Sequence, residues 1–169
     1  MLRANQAGRR AKQTGFTYLA ILFVIAIGGI MLAQTGLNWS QDNQREKERE
    51  LLFVGNEYRK AIALYYERTP GAVKKYPAQL EDLLSDTRYV TVQRYLRKLY
   101  RDPMSGQSQW GLVMAPEGGI MGVHSLSIAA PIKTSNFAFE NSAFEGAAKY
   151  ADWIFSYVPP ASAPQATHP

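Results

Sequence analysis

The polarity pattern divides this chain into a charged beginning, one unbroken apolar run, a periodic stretch and a mixed remainder. Residues 16–33 carry no charge, and at about 1.5 Å per residue such a helix reaches roughly 27 Å, a little short of a bilayer core. Gln34, Thr35 and Gly36 are uncharged and extend the run, and Trp39 suits an interfacial anchor. From Gln41 to Glu67 the apolar positions Leu51, Val54, Tyr58, Ala61, Ile62 and Tyr65 follow three-and-four spacing, which predicts one helical face packed on a small domain. Joined, the two segments predict a helix of about fifty residues.

Thr69-Pro70-Gly71 ends that helix, because proline and glycine both interrupt helical patterns. After Tyr76-Pro77, the residues Leu80, Leu83 and Leu84 predict a short helix, and Val92, Tyr95, Leu96 and Leu99 predict the buried side of another over residues 90–100. Asp102-Pro103-Met104-Ser105-Gly106 has turn chemistry. Residues 110–114, 120–128 and 153–158 read as strands, separated by Pro116-Glu117-Gly118-Gly119 and a polar loop at 133–142, with a helical turn over 144–151. The class is α+β: a long N-terminal helix, membrane half plus amphipathic half, packed on a small antiparallel sheet. The tail, residues 159–169, holds four prolines and is expected to be disordered.

Charge sharpens this picture. Arg3, Arg9, Arg10 and Lys12 precede the apolar run with no acid among them, and basic residues flanking a span stay cytoplasmic. The expected topology is single-pass in an inner membrane, with the N-terminus cytoplasmic and the C-terminal domain periplasmic. The formal net charge is +5, but without those four residues 15 basic face 14 acidic ones, a net of +1. The basic balance is therefore a topology signal, and no nucleic-acid partner is expected. The mixed-sign run at residues 45–50 is expected as a solvated face, the alternative being pairing with neighbouring subunits. With no cysteine, a periplasmic domain must be held by its core, its helix, a metal or its neighbours. Gly28-Gly29 and Gly36 are tolerated in a membrane helix and permit close helix approach.

The junction between leader and run is unusual. Secretory signals place small residues after the apolar region, whereas here Gly15 precedes it, followed by Phe16, Thr17 and Leu19. This junction resembles that of type IV pilins and type II secretion pseudopilins, whose leader ends in Gly before a mature Phe-Thr-Leu-Leu-Glu. The resemblance implies prepilin-peptidase cleavage after Gly15 and N-methylation of Phe16. The family usually has Glu at the fifth mature position, where this chain has Ala20. In the family that carboxylate pairs with a neighbouring subunit's amine in the bilayer, where an unpaired one is costly. Its absence suits a minor or tip subunit. Tyr76-Pro77, Leu80, Tyr95-Leu96, Leu99, Asp102-Pro103, Gly106 and Trp110 resemble the connector of major pseudopilins, with Met104 where Trp is usual.

The organisation expected is therefore a leader at 1–15, a transmembrane part of the helix at 16–39, an amphipathic part at 40–68, a globular α+β domain at 69–158 and a tail at 159–169. His124 and His168 have no carboxylate or nucleophile at a recognised spacing, and no zinc pattern, phosphate loop or nucleophile elbow is present. A Ser/His/Asp set assembled in space stays open. The resemblance implies a calcium loop near the C-terminal strands, but residues 118–139 hold no Asp or Glu, leaving Glu145 and Asp152 as acidic candidates. No metal, cofactor or enzymatic activity is expected. The expected role is a structural pseudopilin subunit whose partners are prepilin peptidase, other pseudopilins or pilins, and the inner membrane. The alternatives are a minor type IV pilin and a signal-anchored periplasmic binding or enzymatic domain.

Overall fold

The computed structural model describes residues 14–160. The leader up to residue 13, and residues 161–169 of the tail with His168, lie outside the described residues, as do the side chains of Gly29, Gln34, Thr35, Gly36 and Trp39. The chain divides into two compact units, Met1–Asn43 and Gln44–Pro169.

Helix α1 spans Thr14–Glu67. In the first unit its residues 16–27 are exposed. The expected membrane run is described only in part, and among the described residues no helix is long and apolar enough to cross a membrane.

The second unit is built on the last turns of α1. Leu51, Val54, Tyr58, Ala61, Ile62 and Tyr65 are all buried, as their spacing predicts. Burying one such aliphatic side chain is worth about 2 kcal/mol, so tertiary packing holds this part of the helix. Gly55 on the same side admits the ring of Phe155, since a Cβ there would stand 2.5 Å from its carbons.

The helix ends where its free carbonyls find other donors. Thr69 Oγ1 and Arg88 both donate to the Tyr65 carbonyl, at 3.1 Å each, and Lys74 Nζ donates to the Glu67 carbonyl at 2.7 Å. Two cations at a helix C-terminus also complement its dipole.

The sheet is antiparallel in the order β1 (Gly111–Met114), β2 (Ile120–His124), β3 (Phe155–Ser156). Its hairpin turns at Gly118 and Gly119, both with positive φ. At Gly119 a Cβ would also stand 2.8 Å from Tyr76 Cβ, so glycine answers both a backbone and a packing demand. Against α1 the sheet places Ile120, Val123 and Phe155, joined by Phe144, Tyr150 and Trp153. Phe144 stacks on Trp153 with centroids 5.6 Å apart. The second unit is thus mixed helix and small antiparallel sheet, α+β.

Local assignments are corrected in several places. Residues 90–100 form no helix: the N–H groups of Tyr95 and Leu96 both donate to the Leu83 carbonyl, which takes them out of any local ladder. Leu96 is buried there, but Val92 and Leu99 are exposed. The strands are shorter than expected: residues 125–128, 153–154 and 157–158 lie outside them, although Tyr157 N–H still donates to the Met121 carbonyl at 2.9 Å. The expected polar loop at 133–142 runs into a 3₁₀ helix, Phe139–Phe144, and the later turn narrows to Tyr150–Asp152. The short helix after Pro77 is a 3₁₀ turn, Leu80–Leu83.

Candidate functional site

Gly15, Phe16 and Ala20 all fall in the first turns of α1, with Phe16 82% exposed and Ala20 exposed. The Gly15–Phe16 bond lies where the first N–H groups of a helix lack intrahelical partners. The surroundings of Gly15 lie outside the described residues.

Several connector residues bond to α1 or to the sheet, while Leu99 and Gly106 are exposed. The Tyr76 hydroxyl donates to the Tyr157 carbonyl at 3.1 Å, and the Pro77 carbonyl accepts from Ile120 N–H at 2.8 Å. Trp110 Nε1 donates to the Tyr100 carbonyl at 2.9 Å, and Tyr100 N–H donates to the Tyr58 hydroxyl on α1 at 3.0 Å. Tyr58 is packed edge-on to Trp110 at 5.3 Å. Burial pushes its hydroxyl pKa up to about 12.

Asp102 is fully buried and closes its turn on itself: Oδ1 accepts from Met104 N–H at 3.0 Å, and its carbonyl accepts from Gly106 N–H at 2.7 Å. Its other oxygen accepts from Ser125 Oγ at 2.8 Å. A serine, an aspartate and His124 are therefore neighbours, but the order of bonds is not that of a nucleophile and base. The serine hydroxyl points to the carboxylate and accepts from Ser127 N–H at 3.0 Å. His124 Nδ1 lies 2.9 Å from the Ser125 carbonyl, which only accepts, and its ring fills the space over Gly111. The set ties the connector turn to the end of β2.

A second polar cluster holds the end of α1. Arg88 forks onto Asp86, Nε to Oδ1 at 2.8 Å and NH2 to Oδ2 at 2.7 Å, and also donates to Thr69 Oγ1 at 2.8 Å. The hydroxyl of Tyr95 donates to Asp86 Oδ2 at 3.0 Å. Hydrogen bonding to Arg88 holds the buried Asp86 carboxyl below the usual carboxylate range, against the opposing effect of burial.

The third cluster departs from the expected solvated face at residues 45–50 at one position only, since Arg45, Glu46, Lys47, Arg49 and Glu50 are exposed. Glu46 and Arg49 form an exposed pair at 2.8 Å, worth little in water. Glu48 is buried, 3% exposed. Its Oε1 accepts from Ile132 N–H at 2.6 Å, Lys133 N–H at 3.2 Å and the Tyr150 hydroxyl at 2.8 Å. Gln44 Nε2 donates to the same hydroxyl at 2.8 Å. The signal was present in the sequence, since Glu48 lies three residues before Leu51 on the buried stripe.

Asp152 Oδ2 accepts from Lys149 N–H at 3.1 Å and serves its own turn, while Glu145 is exposed. Among the described residues no three His, Cys, Asp or Glu side chains come together as a metal group. No family model, curated protein or solved structure matches this chain.

Proposed function

We propose that this chain is a pilin-like structural subunit of the pseudopilin type, cleaved after Gly15 by prepilin peptidase and methylated on Phe16. Its N-terminal helix anchors it in the inner membrane and enters a short periplasmic filament of a type II secretion or related system, without enzymatic activity. Ala20 assigns it a minor or tip position.

The observation that carries this reading is the way the connector binds helix to sheet. Tyr76-Pro77 bonds to Ile120 and Tyr157, while Tyr100 bonds to Tyr58 on α1 and Trp110 donates to the Tyr100 carbonyl and packs against the Tyr58 ring. Tyr76, Pro77 and Trp110 of the sequence resemblance thus lie on bonds that tie this segment to the helix and the sheet, which supports reading them together. An anchored periplasmic binding or enzymatic domain is the competing class.

Intact mass of membrane-extracted protein separates the two. The pseudopilin reading requires loss of residues 1–15 and one added methyl group on Phe16. An unprocessed leader in cells that possess prepilin peptidase would overturn it, and a Gly15→Trp variant should accumulate unprocessed.

A further inference from the structure

The loop at residues 87–92 leaves and re-enters the second unit at one antiparallel bridge, with Asp86 N–H donating to the Gln93 carbonyl at 2.9 Å. Inside it Arg88 is fixed by Asp86, Thr69 and the Tyr65 carbonyl, and the Tyr89 hydroxyl donates to the Arg68 carbonyl. The base is locked, yet the tip offers apolar side chains to water. Val90 is fully exposed and Val92 is 60% exposed.

The chain that follows is strongly basic. Arg94, Arg97, Lys98 and Arg101 are all exposed, and no acidic residue occurs from Thr87 to Arg101. The neighbouring acids are largely spent: Asp86 is neutralised by Arg88, and Asp82 accepts from Ala78 and Gln79 N–H, which leaves Glu81 exposed. Of the segment's three rings, Tyr95 packs against Tyr65 and Tyr100 against Tyr58, while the half-buried Tyr89 is tied by its hydroxyl to the Arg68 carbonyl.

We infer that this segment is a contact surface for an anionic lipid bilayer, with Val90 and Val92 entering the headgroup layer and Arg94, Arg97, Lys98 and Arg101 meeting lipid phosphates. Exposed aliphatic residues followed along the chain by four exposed cations suit a soft, planar, negatively charged surface. A single-stranded nucleic acid would want exposed rings on which bases stack, and these rings are taken. Because the loop is already pinned, little ordering entropy is lost on contact. The inference depends neither on cleavage at Gly15 nor on filament assembly.

The absence of cysteine allows one environment-sensitive fluorophore to be placed on Val90→Cys in the full chain, held in phosphatidylcholine nanodiscs. Added phosphatidylglycerol–phosphatidylcholine vesicles should brighten and blue-shift it. Arg97→Gln and Lys98→Gln should each weaken vesicle affinity about fivefold, and high salt should abolish the response. A label on Phe139→Cys, 97% exposed beside Glu140, should stay silent. No response, an equal response to pure phosphatidylcholine vesicles, or an equal response at both labels overturns the inference. A response to duplex DNA with vesicles silent also overturns it and reassigns the surface to nucleic acid.

Discussion

The guanidinium of Arg88 stands 3.5 Å from the centre of the Tyr65 ring, and from that seat it closes the C-terminal end of α1. One side chain donates to the helix carbonyl of Tyr65 and to Thr69, forks onto Asp86 and covers an aromatic face. A single cation thereby joins the helix end to the loop after Leu84, and the planar fork is what makes this possible.

Replacing that cation should expose the linkage. Asp86 is 1% exposed at its side chain and Arg88 24%, so Arg88→Met leaves a buried carboxylate without its partner, at a cost of about 3 kcal/mol. The folded carboxyl pKa is depressed by Arg88. The pair's stabilisation is therefore full above the ordinary carboxylate pKa of about 4 and is lost as pH falls through the lower folded value. Denaturant unfolding of both proteins should show a gap at neutral pH that closes on acidification. A gap constant from neutral to acid would sink the assignment.

The opposite sign applies at Tyr150. Burial, with the Glu48 carboxylate beside it, pushes its hydroxyl pKa up to about 12. A raised phenol pKa contributes stability that is full below the unfolded value of about 10 and is lost as pH rises through the folded one. Glu48→Ala removes the acceptor for two backbone N–H groups as well, and should cost about 1–3 kcal/mol. In the unaltered protein, phenolate absorbance of Tyr150 should rise together with loss of near-ultraviolet circular dichroism. Full ionisation of this tyrosine near pH 10 in a still-folded protein would contradict the buried cluster.

Gly55→Ala tests the seat of Phe155. In an open helix the change would stabilise by about 1 kcal/mol. Here the new Cβ meets ring carbons at 2.5 Å, and overpacking costs about 1–3 kcal/mol, so the net effect should be destabilising. Adding Phe155→Leu should be less harmful in the Gly55→Ala background than alone, giving a positive coupling in a double-mutant cycle. Additive unfolding free energies would show that the two residues do not meet.

Some of this is legible in the sequence. The stripe from Leu51 to Tyr65 has a clear helical period, and a buried face is what such a period means. Residues 90–100 imitate the same spacing with Val92, Tyr95, Leu96 and Leu99, but the backbone there bonds to Leu83 and pairs Asp86 with Gln93, contacts that no local pattern encodes. The period that sets Glu48 three residues before Leu51 was legible, but a carboxylate inside a run of alternating charges reads as solvated until its three donors from distant residues are in place. Asp102 was legible as a turn residue, whereas its bond to Ser125 crosses 23 positions.

Ala20 yields the prediction most particular to this chain. In the pseudopilin reading, a carboxylate at the fifth mature position draws a subunit onto its neighbour because it is costly unpaired in hydrocarbon. Ala20 supplies no such drive, so this subunit should occur at low copy beside a Glu-bearing subunit when purified assemblies are quantified by mass spectrometry. Ala20→Glu should raise its incorporation several-fold, since even a modest gain of about 1 kcal/mol per docking step shifts occupancy about fivefold. Equal or greater abundance of the unaltered chain would refute the minor position. Unchanged incorporation of Ala20→Glu would show instead that contacts of the periplasmic unit set the copy number.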